Sequence, residues 1–296
     1  MRGFCLLFTF FFLINNLQGQ NTKVIIDADT GNEIDDIPAI VLALKSGKID
    51  VLALTAAQWD RFEVCGRQTM HESWVLNNRI LQTLGMENIP SLKGASEMVG
   101  KQWSLEPIRP NEASDFIIKK ALEIPKGEKL VIIITGTATN VATAIKTEPK
   151  IINKIAVYFI GTTFDQKRQA INKNEFNVRN DLNAFDILLD TENLELHIMP
   201  ANICTELLVI QKDIDTRLKS NDGISDMLRE RWNEVNKDST KWIMWDFAII
   251  YAVINPQWTK QILRKTPPEN TPREIFLYTE INSEAMMEDF WKVFLK

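Results

Sequence analysis

Cysteine and histidine are scarce in this chain of 296 residues, which holds three of the first and two of the second. Cys5, Cys65 and Cys204 show no CxxC spacing, which rules out a zinc module or a disulfide-stapled scaffold as the organising principle. Two thiols this far apart in a chain this long are expected to be separate buried side chains. A basic excess is also missing. With 34 Lys and Arg against 39 Asp and Glu the net charge is −5, so there is no electrostatic footprint for a nucleic acid partner. No Gly-, Ser- or Pro-rich linker, repeat or low-complexity block divides the chain, and one large α/β domain is expected rather than two small ones.

Long apolar runs are confined to the start. Met1 and Arg2 precede an apolar stretch from Phe4 to Ile14, and polar Asn15, Asn16 and Gln18 lead to Gly19. The stretch is too short to cross a hydrocarbon core of about 30 Å, and its order of charge, apolar core and small residue is that of a secretory signal peptide. Cleavage is expected near Gly19 or Gln20, leaving a folded domain over residues 20–296. The expectation is export, periplasmic or secreted, with no stable membrane anchor.

What is present is a repeated alternation. Apolar, β-branched runs at 23–26, 51–55, 130–135 and 155–160 read as strands, and helical patterns at 37–45, 66–84, 139–146 and 183–189 follow them in turn. Strands without polar alternation, separated by helices, predict an α/β fold with a mostly parallel central sheet covered on both faces. Beyond it, helices are expected over 224–235 and 241–253, a strand over 274–278 and a terminal helix from Ser283. In such sheets ligands sit outside the carboxyl ends of the strands.

The first strand runs directly into Asp27, Asp29, Glu33, Asp35 and Asp36, five carboxylates within ten residues. Asp35 and Asp36 open a helix, where the dipole favours acidic residues by about 0.3 to 1 kcal/mol each. That does not account for Asp27 and Asp29, whose like charges repel unless a cation lies between them. A hard divalent ion with oxygen ligands meets the need. An EF-hand loop starting at Asp27 is excluded, because its sixth and twelfth places hold Asn32 and Pro38 instead of Gly and Glu. The strand-end Asp-x-Asp also resembles that of haloacid dehalogenase-type phosphatases. Gly31 stands where that motif has Thr or Val, and no convincing later Lys and acidic-pair motifs follow, so this reading is the alternative.

The full stretch VIIDADTGNEIDDIPAI resembles the signature of the nucleoside hydrolase family, with Asn32 and Glu33 as a two-residue insertion relative to its commonest form. Three further stretches resemble the same family in the same order: VIIITGTATNVATAI, the triplet Glu175-Phe176-Asn177, and WDFAIIYAVINP from Trp245. Thr139 and Asn140, within the first of these, are expected to cap a helix.

The resemblance implies a Rossmann-like domain that hydrolyses the N-glycosidic bond of ribonucleosides, with Ca2+ held by Asp29, Asp36, Asp246 and the Thr135 carbonyl. It implies Asp29 as the base that activates a bound water, and ribose hydroxyls held by Asp35, Glu175 and Asn177. Trp245 stands where non-specific members carry a histidine acid, and neither His71 nor His197 lies in a matched motif. Members with Trp there prefer purines, so purine nucleosides are expected, with Trp245 stacking on one face of the base and Trp59 on the other. The family also implies a homodimer or homotetramer. A calcium-dependent ribose-binding protein without catalysis, and a related N-riboside as substrate, are the remaining alternatives.

Overall fold

The structure, a computed structural model, describes residues 21–60, 68–100, 108–219, 221–236 and 239–296. The expected leader, Cys65 and the first two residues of the helix expected over 66–84 lie outside the described residues.

The chain runs β1 (Thr22–Ala28), α1 (Asp36–Lys45), β2 (Ile49–Ala56), α2 (Thr69–Leu84), β3 (Ser91–Lys93), α3 (Glu112–Glu123), β4 (Leu130–Ile134), α4 (Thr139–Thr147) and β5 (Ile155–Ile160). A hairpin of β6 (Thr163–Asp165) and β7 (Ala170–Asn172) leads to α5 (Phe176–Asn180), α6 (Leu182–Asp190) and β8 (Glu195–Met199). Then come β9 (Leu208–Ile210), α7 (Gln211–Arg217), α8 (Gly223–Val235), β10 (Lys241–Ile243), α9 (Trp245–Ile254), β11 (Thr259–Lys265), β12 (Glu274–Ile281) and α10 (Ser283–Phe294). An eight-stranded sheet has the order β11-β12-β8-β5-β4-β1-β2-β3, and its neighbours pair in parallel except β11 with β12.

The period-two geometry of a strand sends alternate side chains to opposite faces, and the central strands are apolar on both. Val24, Ile26 and Ala28 of β1 pack into one core with α1, α9 and α10, and Ile25 packs into a second with α3, α4 and α6. Val131 and Ile133 of β4 join the first core, while Leu130, Ile132 and Ile134 join the second. Burial on both faces is why these runs carry no polar alternation.

The expected single α/β domain with a mostly parallel sheet is what the structure shows, and the four expected strands are its centre. Residues 241–253 are not one helix. Lys241–Ile243 pair antiparallel with β9, Trp242 opposite Val209, and the helix begins at Trp245. A three-residue strand exists because its partner is there, which local propensity does not reveal. Strands β3, β8 and β11 and helix α3 add to the expected set. Thr139 and Asn140 do not cap α4: the N-cap residue is Ala138, with no side-chain cap. Their side chains reach elsewhere, Thr139 Oγ1 donating to Asp181 Oδ2 at 2.7 Å and Asn140 Nδ2 to Asp27 Oδ1 at 2.8 Å.

The terminal helix fixes α9. Phe290 is fully buried and stacks against Phe247 with ring centres 4.2 Å apart. Truncating Phe290→Ala is expected to destabilise the fold by about 3 to 5 kcal/mol, read from the denaturant midpoint at constant slope. A change below about 1 kcal/mol would mean that α10 is not part of the cooperative core.

Candidate active site

Parallel strands end on one side of the sheet, and the residues just beyond them converge there. Asp29 follows β1, Thr135 follows β4, and Asp35 and Asp36 open α1 across the turn from Asp29. Asp246 arrives from far along the chain on the first turn of α9. A cavity of about 160 Å³ is lined by Asp29, Asn32, Glu33, Asp35, Asp36, Thr135, Glu175, Phe176, Asn177, Trp245 and Asp246, with Ile160 and Ala201. Every residue expected at the site is thus at one cavity, apart from Trp59, which is not among its described lining residues. Phe176, in the first turn of α5, is the second aromatic at the cavity.

Asp29, Asp35, Asp36 and Asp246 are all buried. A carboxylate oxygen from each of Asp35, Asp36 and Asp246 lies within 4.8 Å of the others. At about 4 Å and an effective dielectric near 20, two like charges repel by about 4 kcal/mol. Three such pairs rival the ~5–15 kcal/mol by which a whole domain is stable. No Lys, Arg or His among the described residues pairs with any of the four at ion-pair distance. Burial, then mutual repulsion, pushes Asp29, Asp35 and Asp246 up well above the usual carboxylate range. Asp36 is pushed up to about 6 by burial, held back by the hydroxyl of Thr135 that donates to its Oδ1 at 2.9 Å. Asp29 Oδ2 is buried with no hydrogen-bond partner. Oxygen donors alone, clustered, buried and without a side-chain cation at ion-pair distance, fit a hard metal ion.

The opposite wall carries neutral and acidic hydrogen-bonding groups. Glu175 Oε2 accepts from the Val178 amide at 3.2 Å, capping α5, and from the Thr162 amide at 3.3 Å. Thr162 is a β-branched residue at φ 70°, a left-handed backbone costing about 1 to 3 kcal/mol. Its carbonyl is held by the Ala201 amide at 3.0 Å, so the turn after β5 presents Glu175 from a constrained backbone. Asn177 Nδ2 donates to the carbonyls of Thr135 at 2.7 Å and Ile160 at 3.2 Å. Both donors being used, Asn177 offers a ligand its side-chain oxygen. Trp245 is half-buried, edge-on to Trp242 with ring centres 6.4 Å apart.

Two contributions escaped sequence reasoning. Arg231, on α8 and outside every motif, donates to the carbonyls of Gly31, Asn32 and Glu33. Ser73 and Asn77 of α2 accept from the Gly31 amide and the Thr30 hydroxyl, at 3.2 and 2.7 Å. Glu33, from the insertion, does reach the cavity, and burial followed by repulsion from Asp36 pushes it up to about 7. A single buried Arg in an amphipathic helix carries no distinguishing local signal. The structure also removes the phosphatase alternative. Asp27, its required nucleophile, is fully buried, its Oδ1 accepting from Thr55 and Asn140 at 2.6 and 2.8 Å, and it does not line the cavity.

Fold and site together define a mostly parallel α/β protein whose acidic pocket lies at the carboxyl edge of the sheet. The description "inosine-uridine preferring nucleoside hydrolase" belongs to the family model that matches residues 24–286. The chain belongs to that family, enzymes acting on N-glycosyl compounds, which bears out the resemblance of the four motifs. It is 27% identical over 207 residues to a probable uridine nucleosidase 2 of Oryza sativa subsp. japonica, a match spanning 65% of this chain and 60% of that protein. To uridine nucleosidase 1 of Arabidopsis thaliana it is 26% identical, over 71% of this chain and 67% of the relative. Among solved structures, a plant nucleoside hydrolase, PpNRh1, superposes with TM-score 0.70 at 20% identity, covering 93% of this chain and 99% of that one. A purine-preferring ribonucleoside hydrolase from Gardnerella vaginalis gives 0.69 at 18% identity, covering 93% and 98%. These two likenesses are of fold.

The raised carboxylates set a direction of pH dependence. A carboxyl whose folded pKa exceeds its unfolded value holds its proton longer in the folded state, so stability falls as pH rises between the two values. For Asp27, Asp36 and Glu33 that window runs from the usual carboxylate range up to about 6 to 7. In chelator the midpoint of thermal unfolding is therefore expected to decrease as pH is raised from about 4 to 7. Added divalent metal is expected to restore more at the upper end, since its ligands must be deprotonated. A chelated protein equally stable across that range would contradict the buried, uncompensated cluster.

Proposed function

We propose that this protein hydrolyses the N-glycosidic bond of ribonucleosides, with Ca2+ as its ion. The observation that carries the proposal is the meeting of Asp29, Asp35, Asp36 and Asp246 with Glu175 and Asn177 around one cavity. These residues come from opposite ends of the chain and have no shared structural purpose.

Asp29, Asp36, Asp246 and the Thr135 carbonyl would hold the calcium. When bound, that ion supplies a grip on the ribose 2′ and 3′ hydroxyls and lowers the pKa of a water. Asp29, with its free Oδ2, takes the proton of the attacking water as general base. Asp35, Glu175 and Asn177 accept from ribose hydroxyls and orient C1′. The same contacts disfavour deoxyribose, which leaves buried acceptors unpaired. Trp245 and Phe176 flank the space left for the base, replacing the expected pair of Trp245 and Trp59. Trp245 supports purines as the preferred base. A second reading, pyrimidine nucleosides, is supported by relatives named uridine nucleosidases, and by the pyrimidine-specific ribonucleoside hydrolase RihA of Citrobacter koseri, 32% identical over 45% of each chain. Export belongs to this proposal and rests on the sequence of the first twenty residues; among the described residues no helix is long and apolar enough to cross a membrane. Assembly as a homodimer or homotetramer rests on the family resemblance.

The test is release of free ribose from inosine, guanosine, uridine and cytidine, with calcium and with chelator. Asp29→Ala is expected to lower turnover by about 10²- to 10⁴-fold; retained turnover would mean that the base is misassigned. Wild-type protein that binds ribose with calcium but releases none from any nucleoside would be the non-catalytic binder. Trp245→Ala is expected to lower kcat/KM for the preferred nucleoside roughly 3- to 10-fold, the equivalent of an aromatic contact of about 0.5 to 1.5 kcal/mol. An unchanged kcat/KM on all four nucleosides would remove Trp245 from base binding.

A further inference from the structure

Between Asp29 and Asp35 the chain makes a tight detour through Thr30, Gly31, Asn32, Glu33 and Ile34, and this detour contains the two-residue insertion. Its length gives the two ends freedom that a cation site cannot tolerate, because oxygen ligands must meet the ion within tenths of an ångström. Arg231 removes that freedom. Its guanidinium, only 6% exposed, donates from Nε to the Glu33 carbonyl at 2.9 Å and from one terminal nitrogen to the carbonyls of Gly31 and Asn32 at 2.6 and 2.7 Å. The other terminal nitrogen reaches Glu234 at 2.9 Å. Three successive carbonyls bonded to one rigid plane fix the peptide orientations of the detour. The Asn32 amide closes the turn onto the Asp29 carbonyl at 2.8 Å, and Ser73 and Asn77 hold the other side. Glycine at 31 lets the turn approach α2 closely, because a Cβ there would lie 3.0 Å from Glu72 Cβ and 3.1 Å from the Ser73 amide nitrogen.

We infer that Arg231 is a positioning residue for the metal: by holding the carbonyls of Gly31, Asn32 and Glu33, it fixes the detour between Asp29 and the start of α1, where oxygens of Asp35 and Asp36 meet that of Asp246 within 4.8 Å. The inference rests on the metal-site reading above. Only a guanidinium supplies enough coplanar donors for three carbonyls, and an ammonium in its place is a point charge without the fork. The charge alone acts in the opposite sense. A fixed positive charge beside the acidic cluster repels a second cation, so losing only the charge would tighten metal binding, whereas losing the clamp weakens it.

Calcium affinity measured by titration calorimetry on the full protein separates the two, with chelated thermal midpoints measured alongside. Arg231→Met is expected to weaken calcium binding about 10- to 100-fold, the usual effect of losing a group that orients metal ligands. Arg231→Lys is expected to remain weakened by at least about 10-fold despite its retained charge. Arg79→Met, which breaks the exposed Arg79–Glu230 pair between the same α2 and α8, is expected to leave affinity unchanged and reports any general effect of loosening these helices. Affinity in Arg231→Met within about 2-fold of wild type, or tighter, overturns the inference, as does full recovery in Arg231→Lys. Should Arg231→Met fail to fold, Arg231→Lys decides alone by the same criterion. Wild-type protein that binds no calcium would instead sink the metal reading itself, and this inference with it.

Discussion

The repulsion among buried carboxylates at the end of β1 is the constraint on which the rest depends. Folding takes Asp29, Asp35, Asp36 and Asp246 out of water and brings oxygens of Asp35, Asp36 and Asp246 within 4.8 Å of one another, an arrangement that no domain of ordinary stability holds fully ionised without a compensating charge. Burial and mutual repulsion raise the pKa values of its members well above the usual carboxylate range, which favours either a retained proton or a bound cation. A site satisfied by protein cations would have no need of an ion.

The surrounding architecture delivers the cluster. Parallel pairing of β1 with β2 and β4 puts Asp29 and Thr135 on the same edge, and the backbone amide of Thr135 bonds to the Asp27 carbonyl at 2.9 Å. Helix α9 is almost uniformly apolar beyond its first turn and buries its whole length under α1 and α10. Asp246 is therefore placed by hydrophobic packing far larger than its own electrostatic cost. The opposite wall is built differently, from a strained turn at Thr162, the Glu175 cap of α5 and the Asn177 side chain bonded back onto Thr135. Asn177 thereby ties the hydrogen-bonding wall to a carbonyl on the metal side of the cavity.

Much of this was readable in advance, for identifiable reasons. The central strands are buried on both faces and so are apolar without interruption, a pattern that survives any tertiary context. The five early carboxylates sit at a strand end where a structural role covers only two of them. What could not be read shares one property, dependence on a distant partner. The short β10 exists because β9 lies beside it. Thr139 and Asn140 look like caps and instead serve Asp181 and Asp27, which approach only in the fold. Phe176, in a motif read only for its polar neighbours, lines the same cavity as Trp245. The role of Arg231 depends on three backbone carbonyls about two hundred residues away.

Taken alone, the order of residues determined the parallel α/β core, the chemistry of the acidic loop and the family to which the chain belongs, because hydrophobic period and side-chain type are local properties. Tertiary structure alone decided which carboxylates share a cavity, that Asp27 is not among its lining residues, that Phe176 lines it with Trp245, and what restrains the inserted loop. Those outcomes turn on distances of a few ångströms between segments far apart in the chain. Such distances are set by the packing of α8, α9 and α10 against the sheet, and no local pattern encodes them.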